Sequence, residues 1–258
     1  MTDDNRFPAE RAETVLALLR EQGRVSSTDL AHRFGVSEDS IRRDLRELAS
    51  RGLCRRVYGG AVRVAPDVVG FDQRISLGAS DKAGLAAGIC SLLQPKETIF
   101  LDAGTTNLSV AESLPENIDL TIITNSPQIA IAAGHRRGVR VQLIGGTYSS
   151  QAGAVLGAES LLQLQRLRID VCVPGACAID PMTGVWATDA EEAALKRMAV
   201  SSSSRVIVGA SSEKLGCVGI YHVADLADID EIVLPAGGSK PMLQMFTESG
   251  IRVIETSR

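Results

Sequence analysis

The chain has 258 residues, 45% of them hydrophobic and only 3% aromatic, with 27 basic and 31 acidic side chains for a formal charge of −4. That length and apolar content support an ordinary core in two domains, while the scarcity of aromatic rings argues against a platform that stacks single-stranded nucleic acid. No apolar run reaches the ~20 residues that span a bilayer, and Met1 to Glu10 is polar without a signal-peptide core, so the expected location is the cytoplasm, with no membrane partner.

Val15, Leu16, Leu18 and Leu19 predict a first amphipathic helix that stops near Gly23. In Val25-Ser-Ser-Thr-Asp-Leu30, Ser26 stands at a cap, Asp29 at the capping-box position and Val25 opposite Leu30 as a hydrophobic staple; Gly35 ends this short second helix. Ser37 then caps a third helix, with Val36 and Ile41 as its staple. At roughly 100° per residue, Ile41, Leu45 and Leu48 share one face and Arg43, Arg46 and Ser50 the other. Helix, short glycine-containing turn and helix form the helix-turn-helix pattern, and Gly52 to Val62 reads as a small β-wing.

Arg42, Arg43 and Arg46 could form a solvated face paired with Asp44 and Glu47. Their surroundings favour DNA. From Ser40 to Arg63 seven arginines face two acids, and residues 1–63 hold twelve arginines and no lysine against ten acids, inside a chain that is acidic overall. A local excess of planar guanidinium groups suits a phosphate backbone and the guanine edge. The expected contacts with double-stranded DNA are Ser37, Ser40, Arg42, Arg43 and Arg46 on the helix, and Arg55, Arg56 and Tyr58 on the wing. The winged helix-turn-helix is placed at residues 6–63, a linker broken by Pro66 and Gly70 at 64–80, and a second domain at 81–258, opening with a helix from Ser80 through Leu93.

That second domain alternates. Thr98–Leu101, Leu120–Ile123, Val139–Ile144, Ile169–Val173, Arg205–Val208 and Glu231–Leu234 are short apolar runs separated by helical stretches, which predicts an α/β fold with a buried parallel sheet. Such sheets bind ligands at the carboxyl ends of their strands. The first strand runs into Asp102-Ala-Gly-Thr-Thr-Asn107, where Gly104 permits a close turn and Thr105, Thr106 and Asn107 open a helix whose free N–H groups suit phosphate. The next strands end at Thr124-Asn125-Ser126 and at Gly145-Gly146, and these polar ends are expected to share a cleft. Taken alone, Gly-Thr-Thr is also an ordinary turn and helix cap.

Gly35-Val-Ser-Glu-Asp-Ser-Ile-Arg-Arg-Asp-Leu-Arg-Glu-Leu48, Arg56-Val-Tyr-Gly-Gly-Ala61, Asp102-Ala-Gly-Thr-Thr106, Thr124-Asn-Ser126, Ile144-Gly-Gly146 and Ala190 to Met198 together resemble the DeoR family of bacterial transcription regulators over nearly the whole chain. The family usually has threonine where this chain has Ser40, which keeps the hydroxyl. The resemblance implies a second domain folded like ribose-5-phosphate isomerase that senses a phosphorylated sugar or a close relative, and repression of carbohydrate genes. It implies that Gly104, Thr105, Thr106 and Lys214 hold phosphate, that Asp102 and Asn125 meet sugar hydroxyls, and that Arg74 and Lys82 are basic positions facing the cleft. Where the family often has Asp-Ser-Ser-Lys, this chain reads Gly209-Ala-Ser-Ser-Glu-Lys214.

A sugar-phosphate isomerase with a DNA-binding appendage is the competing reading. The acids of the isomerases' Asp-Gly-Ala-Asp-Glu segment are replaced here by Pro174, Cys177 and Ala178, leaving Asp180 and Asp189 as the bases to consider. A purely structural oligomerisation domain is a third reading, which leaves the polar strand ends without a purpose. Cys54, Cys90, Cys172, Cys177 and Cys217 include no Cys-x-x-Cys pair, so no disulfide, metal or cofactor is expected, and His32, His135 and His222 are scattered. The expected assembly is a homo-oligomer, dimer or tetramer, that places winged helices on repeated half-sites.

Overall fold

A computed structural model describes residues 7–65, 69–238 and 240–256. Residue 6, the expected start of the first domain, and Pro66 of the expected linker lie outside the described residues.

In the N-terminal part, α1 (Phe7–Gln22), β1 (Arg24–Ser26), α2 (Ser27–Phe34), α3 (Glu38–Ser50), β2 (Arg55–Val57) and β3 (Gly60–Val64) form the three helices and wing. The caps act as the residue types predict: the Asp29 N–H donates to Ser26 Oγ, the Ser40 N–H to Ser37 Oγ, and Gly35 closes α2 in the left-handed conformation at φ 65°. Val15, Leu19, Leu30, Ile41, Leu45 and Leu48 fill the small core. Each such side chain contributes on the order of 1.5–3 kcal/mol when fully buried. Arg11 donates to Asp44 at 2.9 Å, tying α1 to the inner flank of α3. Val25 also carries strand structure that its role as a staple does not announce: β1 pairs antiparallel with β3.

The segment expected as a linker contains a helix, α4 (Phe71–Ser76), with Phe71 fully buried, and leads into α5 (Ala79–Cys90). Then follow β4 (Thr98–Leu101), α6 (Thr105–Ser113), β5 (Leu120–Thr124), α7 (Pro127–Gly134), β6 (Val139–Leu143), a hairpin of β7 (Thr147–Ser149) and β8 (Ala154–Leu156), α8 (Ala158–Leu164) and β9 (Ile169–Val173). The chain continues through β10 (Ala178–Asp180), β11 (Gly184–Ala187), α9 (Ala190–Ser201), β12 (Ser203–Gly209), β13 (Cys217–Val218), β14 (Tyr221–Ala224), β15 (Glu231–Leu234), α10 (Lys240–Glu248) and β16 (Arg252–Glu255).

Seven parallel strands form the main sheet in the order β16-β15-β12-β9-β4-β5-β6. Alternate residues serve opposite faces: Ile99 and Leu101 pack with Leu85, Ile89 and Val110 on one side, while Phe100 packs with Ala193, Leu195 and Phe246 on the other. Burial on both faces explains why the five inner strands read as apolar runs, whereas the edge strands β6 and β16 are half-buried or exposed along their length. The order also fixes where a ligand cleft lies. From β4 the chain winds outward through β5 and β6, returns to set β9 on the other flank of β4, and winds away through β12 and β15. The winding reverses between β4 and β9, and a crevice opens at the carboxyl ends of strands at such a reversal.

One strand crosses between the two parts. β13 pairs in parallel with β3, Cys217 beside Arg63 and Val218 beside Val64, so the wing and a strand of the second domain share a sheet. No helix among the described residues is long and apolar enough to cross a membrane.

Candidate functional site

A cavity of about 280 Å³ occupies the reversal point. Its floor is the loop after β4, its walls the loop after β9 (Pro174 to Cys177), the loop after β12 (Ser211 to Lys214), α9, and the α4–α5 corner. Gly104 adopts φ 156°, ψ 151°, a combination essentially reserved for glycine, and a Cβ there would meet nothing within 4 Å because the cavity lies over it. Thr105, Thr106 and Asn107 begin α6 directly beyond it, giving the cavity the N–H groups of a helix start.

The loops are held by buried polar side chains. Asn107 Nδ2 donates to the carbonyls of Asp102 and Val173, both at 2.8 Å, clamping the ends of β4 and β9 together. Asn125 Oδ1 accepts from the Ala103 N–H at 2.9 Å, and Asp102 Oδ2 from the Gly175 N–H at 2.8 Å. The two loops run so close at Gly175 that a Cβ would stand 2.6 Å from the Ala103 carbonyl oxygen.

Of the effector residues expected from the sequence, Arg74, Lys82, Gly104, Thr105, Thr106, Asn107 and Lys214 line the cavity. Asp102 lies directly behind it, wholly buried, with its carboxylate turned to Gly175 and Lys196. Thr124, Asn125, Gly145 and Gly146 lie outside it. Thr124 Oγ1 accepts from the Ser126 N–H, Asn125 holds the β4 loop from behind, and Gly145 bonds Gln163 and Ser160. Gly146 backs onto Ser160 and Leu156. The cavity opens toward the β9–β12 side of the reversal, where the loops after β9 and β12 wall it, and the residues after β5 and β6 are taken up in holding the β4 loop and the neighbouring turns.

The sequence reading did not assign Glu192, Lys196, Cys177, Ser211 or Ser212 to the site, and all of them line it. Lys196 Nζ donates to Asp102 Oδ2 at 2.8 Å and to Glu192 Oε2 at 3.0 Å while being 2% exposed. Burial by itself would lower its pKa, but the two carboxylates outweigh burial and hold it well above the ordinary lysine range. One signal was available: Ala193, Lys196 and Ala199 recur at helical spacing on the buried face of α9, and a lysine inside such a stripe requires carboxylate partners.

Opposite it, Arg74, Lys82 and Lys214 converge. Burial lowers the pKa of Lys82, and the positive charges of Lys214 and Arg74 lower it further against an opposing pull from Glu213. Lys214 is likewise lowered, first by burial, with Arg74 contributing. Arg74 Nε is buried without a hydrogen-bond partner among the described residues. Crowded, partly desolvated cations beside a helix start are the electrostatic complement of an anion.

The two acids considered as isomerase bases have other work. Asp180 Oδ1 accepts from the Met182 and Thr183 N–H groups and from Thr183 Oγ1, forming a turn, and Asp189 caps α9 through the Glu191 and Glu192 N–H groups.

On α3, Arg43 and Arg46 are exposed and make no ion pair among the described residues, whereas Arg42 is engaged by Glu38 at 2.7 Å and Asp39 at 3.0 Å. Ser37 is exposed and Ser40 half-buried at the start of the helix, their hydroxyls 3.0 Å apart. On the wing Arg56 and Tyr58 stand free in solvent, Tyr58 at the tip with 107% relative exposure. Arg55 instead donates to the Gly219 carbonyl of the second domain.

Residues 11–66 match the family description "DeoR-like helix-turn-helix domain" and residues 78–235 match "DeoR C terminal sensor domain". The chain is 30% identical to the HTH-type transcriptional regulator GlpR of Haloferax volcanii, over 96% of this chain and 98% of that one. It is 33% identical to the L-fucose operon activator of Haemophilus influenzae, over 86% and 90%, and 27% identical to the glycerol-3-phosphate regulon repressor of Escherichia coli K12, over 95% and 97%. A solved D-ribose-5-phosphate isomerase in complex with phospho-erythronic acid superposes on 53% of this chain and 54% of that one, with a TM-score of 0.38 at 16% identity.

Proposed function

The chain belongs to the DeoR family of transcriptional regulators, and from that premise we propose that a phosphorylated sugar or related metabolite, bound in the cavity at the β4–β9 reversal, sets its affinity for operator DNA. It is a DNA-binding regulator and not an enzyme. The observation that carries the effector class is the convergence of Arg74, Lys82 and Lys214 on the cavity that holds the start of α6, where burial first and neighbouring positive charge second lower the pKa of both lysines. A cavity of about 280 Å³ suits a sugar phosphate rather than a dinucleotide. The names of the relatives, a glycerol-3-phosphate regulon repressor and an L-fucose operon activator, support control of carbohydrate genes. We read the action as repression relieved by the effector.

Arg43 and Arg46 are the proposed base-reading pair, with Ser37, Ser40, Arg42, Arg56 and Tyr58 positioning the helix and wing on phosphates and Arg55 joining them when the wing leaves Gly219. The route between the sites is short. Lys214 precedes β13 by three residues, and β13 is hydrogen-bonded to β3 of the wing, with the Ala65 N–H donating to the Val218 carbonyl at 3.1 Å. A ligand that draws Ser211 to Lys214 inward pulls on the wing. In a homo-oligomer that spans two half-sites, a displaced wing changes the fit to the operator.

A double dissociation tests this. Arg43→Ala is expected to weaken specific operator binding by about 1–3 kcal/mol and leave effector binding intact. Thr105→Ala with Thr106→Ala is expected to spare operator binding and abolish the response to sugar phosphates in a gel-shift titration; an unchanged response in that variant overturns the site.

A further inference from the structure

The cavity holds two electrostatic neighbourhoods. Besides burial, the largest influence on each, Lys82 feels the charges of Lys214, Glu213 and Arg74, Lys196 those of Asp102 and Glu192, and Lys214 those of both Arg74 and Lys196. The first neighbourhood is a cationic wall. The second, on α9 and the loop after β4, sets two carboxylates against one ammonium, leaving one net negative charge in a region where Lys196 is 2% and Asp102 1% exposed at the side chain.

This second wall is closed to anions and open to neutral oxygen. An ammonium has three N–H donors, and Asp102 and Glu192 engage two of those on Lys196, which leaves one for an acceptor in the cavity that Lys196 lines. Glu192 lines the cavity with its side chain 17% exposed, so its carboxylate can accept from a ligand hydroxyl, while Asp102, wholly buried behind the cavity with Oδ1 unpartnered among the described residues, contributes negative charge from the rear. A second phosphate or a carboxylate placed there brings more acceptors and another negative charge into a poorly hydrated space, where like charges cannot be screened.

Resting on the reading of this cavity as a phosphorylated-metabolite site, we infer that the Asp102–Lys196–Glu192 wall makes the regulator selective for monophosphates whose remaining oxygens are neutral, and that it rejects bisphosphates and phosphorylated acids. Lys196 is the positioning residue of the wall and Glu192 its gatekeeper. Selection thus runs by charge count at the end remote from the phosphate, and hydroxyl stereochemistry is read within the class so admitted.

Matched ligand pairs test the inference on the full-length protein by calorimetric titration and thermal shift. The probes are inorganic phosphate, fructose 1-phosphate and fructose 6-phosphate against fructose 1,6-bisphosphate, and glycerol 3-phosphate against 3-phosphoglycerate. At least one monophosphate is expected to bind tenfold or more tightly than its doubly anionic partner, and Glu192→Gln is expected to narrow that ratio severalfold. Glu192 is the chosen variant because it is the least buried of the three. Equal or tighter binding of the bisphosphate or the phosphorylated acid overturns the selectivity and leaves the phosphate site standing. So does a ratio that Glu192→Gln does not move. Failure of every phosphate compound, inorganic phosphate included, overturns the phosphate site itself.

Discussion

The two cationic surfaces of this chain meet opposite electrostatic conditions. On α3 and the wing the charges are arginines exposed at the surface, of which Arg43, Arg46 and Arg56 make no ion pair among the described residues. In the cavity they are chiefly lysines, crowded and desolvated enough that Lys82 and Lys214 hold their protons less tightly than free lysine. Guanidinium stays charged under all ordinary conditions and presents a flat fork to phosphates and base edges; an ammonium in a confined space responds to whatever anion arrives. The difference teaches that the first surface answers chiefly to ionic strength and the second to pH and ligand charge.

Raising salt from 50 to 200 mM is the sharpest way to separate them. Operator affinity is expected to fall by about a thousandfold or more if the oligomer makes six or more phosphate contacts, because each contact releases counterions. Sugar-phosphate affinity should fall far less, since buried charges are weakly screened. Similar salt slopes for both ligands in parallel titrations erase the distinction.

A smaller effect is expected from Lys196→Met, which strands Asp102 and Glu192 without their cation. Breaking a buried pair in this way costs about 3–5 kcal/mol, read by urea unfolding. Adding Asp102→Asn should recover part of the loss, because the stranded charge is then gone. A single variant as stable as the parent shows that the wall is not a buried charge network.

The mildest effect is on pH. An anion favours the ammonium forms of Lys82 and Lys214, so above pH 7.5, where the phosphate is already a dianion, effector affinity should decline a few-fold as pH rises through their lowered pKa values. Stability without effector moves the other way: both lysines bind protons more weakly folded than unfolded, so the unfolding free energy contributed by them rises from those lowered values up to the ordinary 10.5. An affinity profile that stays flat from pH 7.5 up to the ordinary lysine value of 10.5 removes the lysines from the phosphate site.

The helix-turn-helix was legible because its information is local. Ser26, Gly35 and Ser37 fix helix ends within one turn of themselves, and Ile41, Leu45 and Leu48 define the buried face of a single helix. The six strands read from apolar runs also fall where expected; five of them are largely buried, while β6, at the edge of the sheet, is mostly exposed and was marked by its alternating valines and leucine. Strand order was not legible: no short-range signal says that β9 returns to the flank of β4, so nothing in the sequence shows that the cavity is walled by the loops after β9 and β12 and not by Thr124, Asn125, Gly145 and Gly146. The antiparallel set β10-β11-β14, the β7–β8 hairpin and the edge strand β16 lack long apolar runs and went unread for the same reason that short strands generally do. Lys196 was visible only as one charge among several in the sequence of α9; its burial depends on Asp102, almost a hundred residues earlier in the chain.

The sheet shared by the wing and β13 is only two residue pairs long, and it closes where Gly23 and Gly216 pass so tightly that a Cβ on Gly23 would stand 2.5 Å from the Gly216 Cα. A clasp of this size is worth little more than a few net hydrogen bonds, at about 0.5–1.5 kcal/mol each. Under the proposed mechanism an effector of ordinary affinity could open it: reversing a tenfold bias takes only about a hundredfold preference of the ligand for one form. The clasp's weakness is what makes it usable as a toggle, and any change that strengthened it, by extending the ladder past Val218, would leave a protein that binds its effector and ignores it.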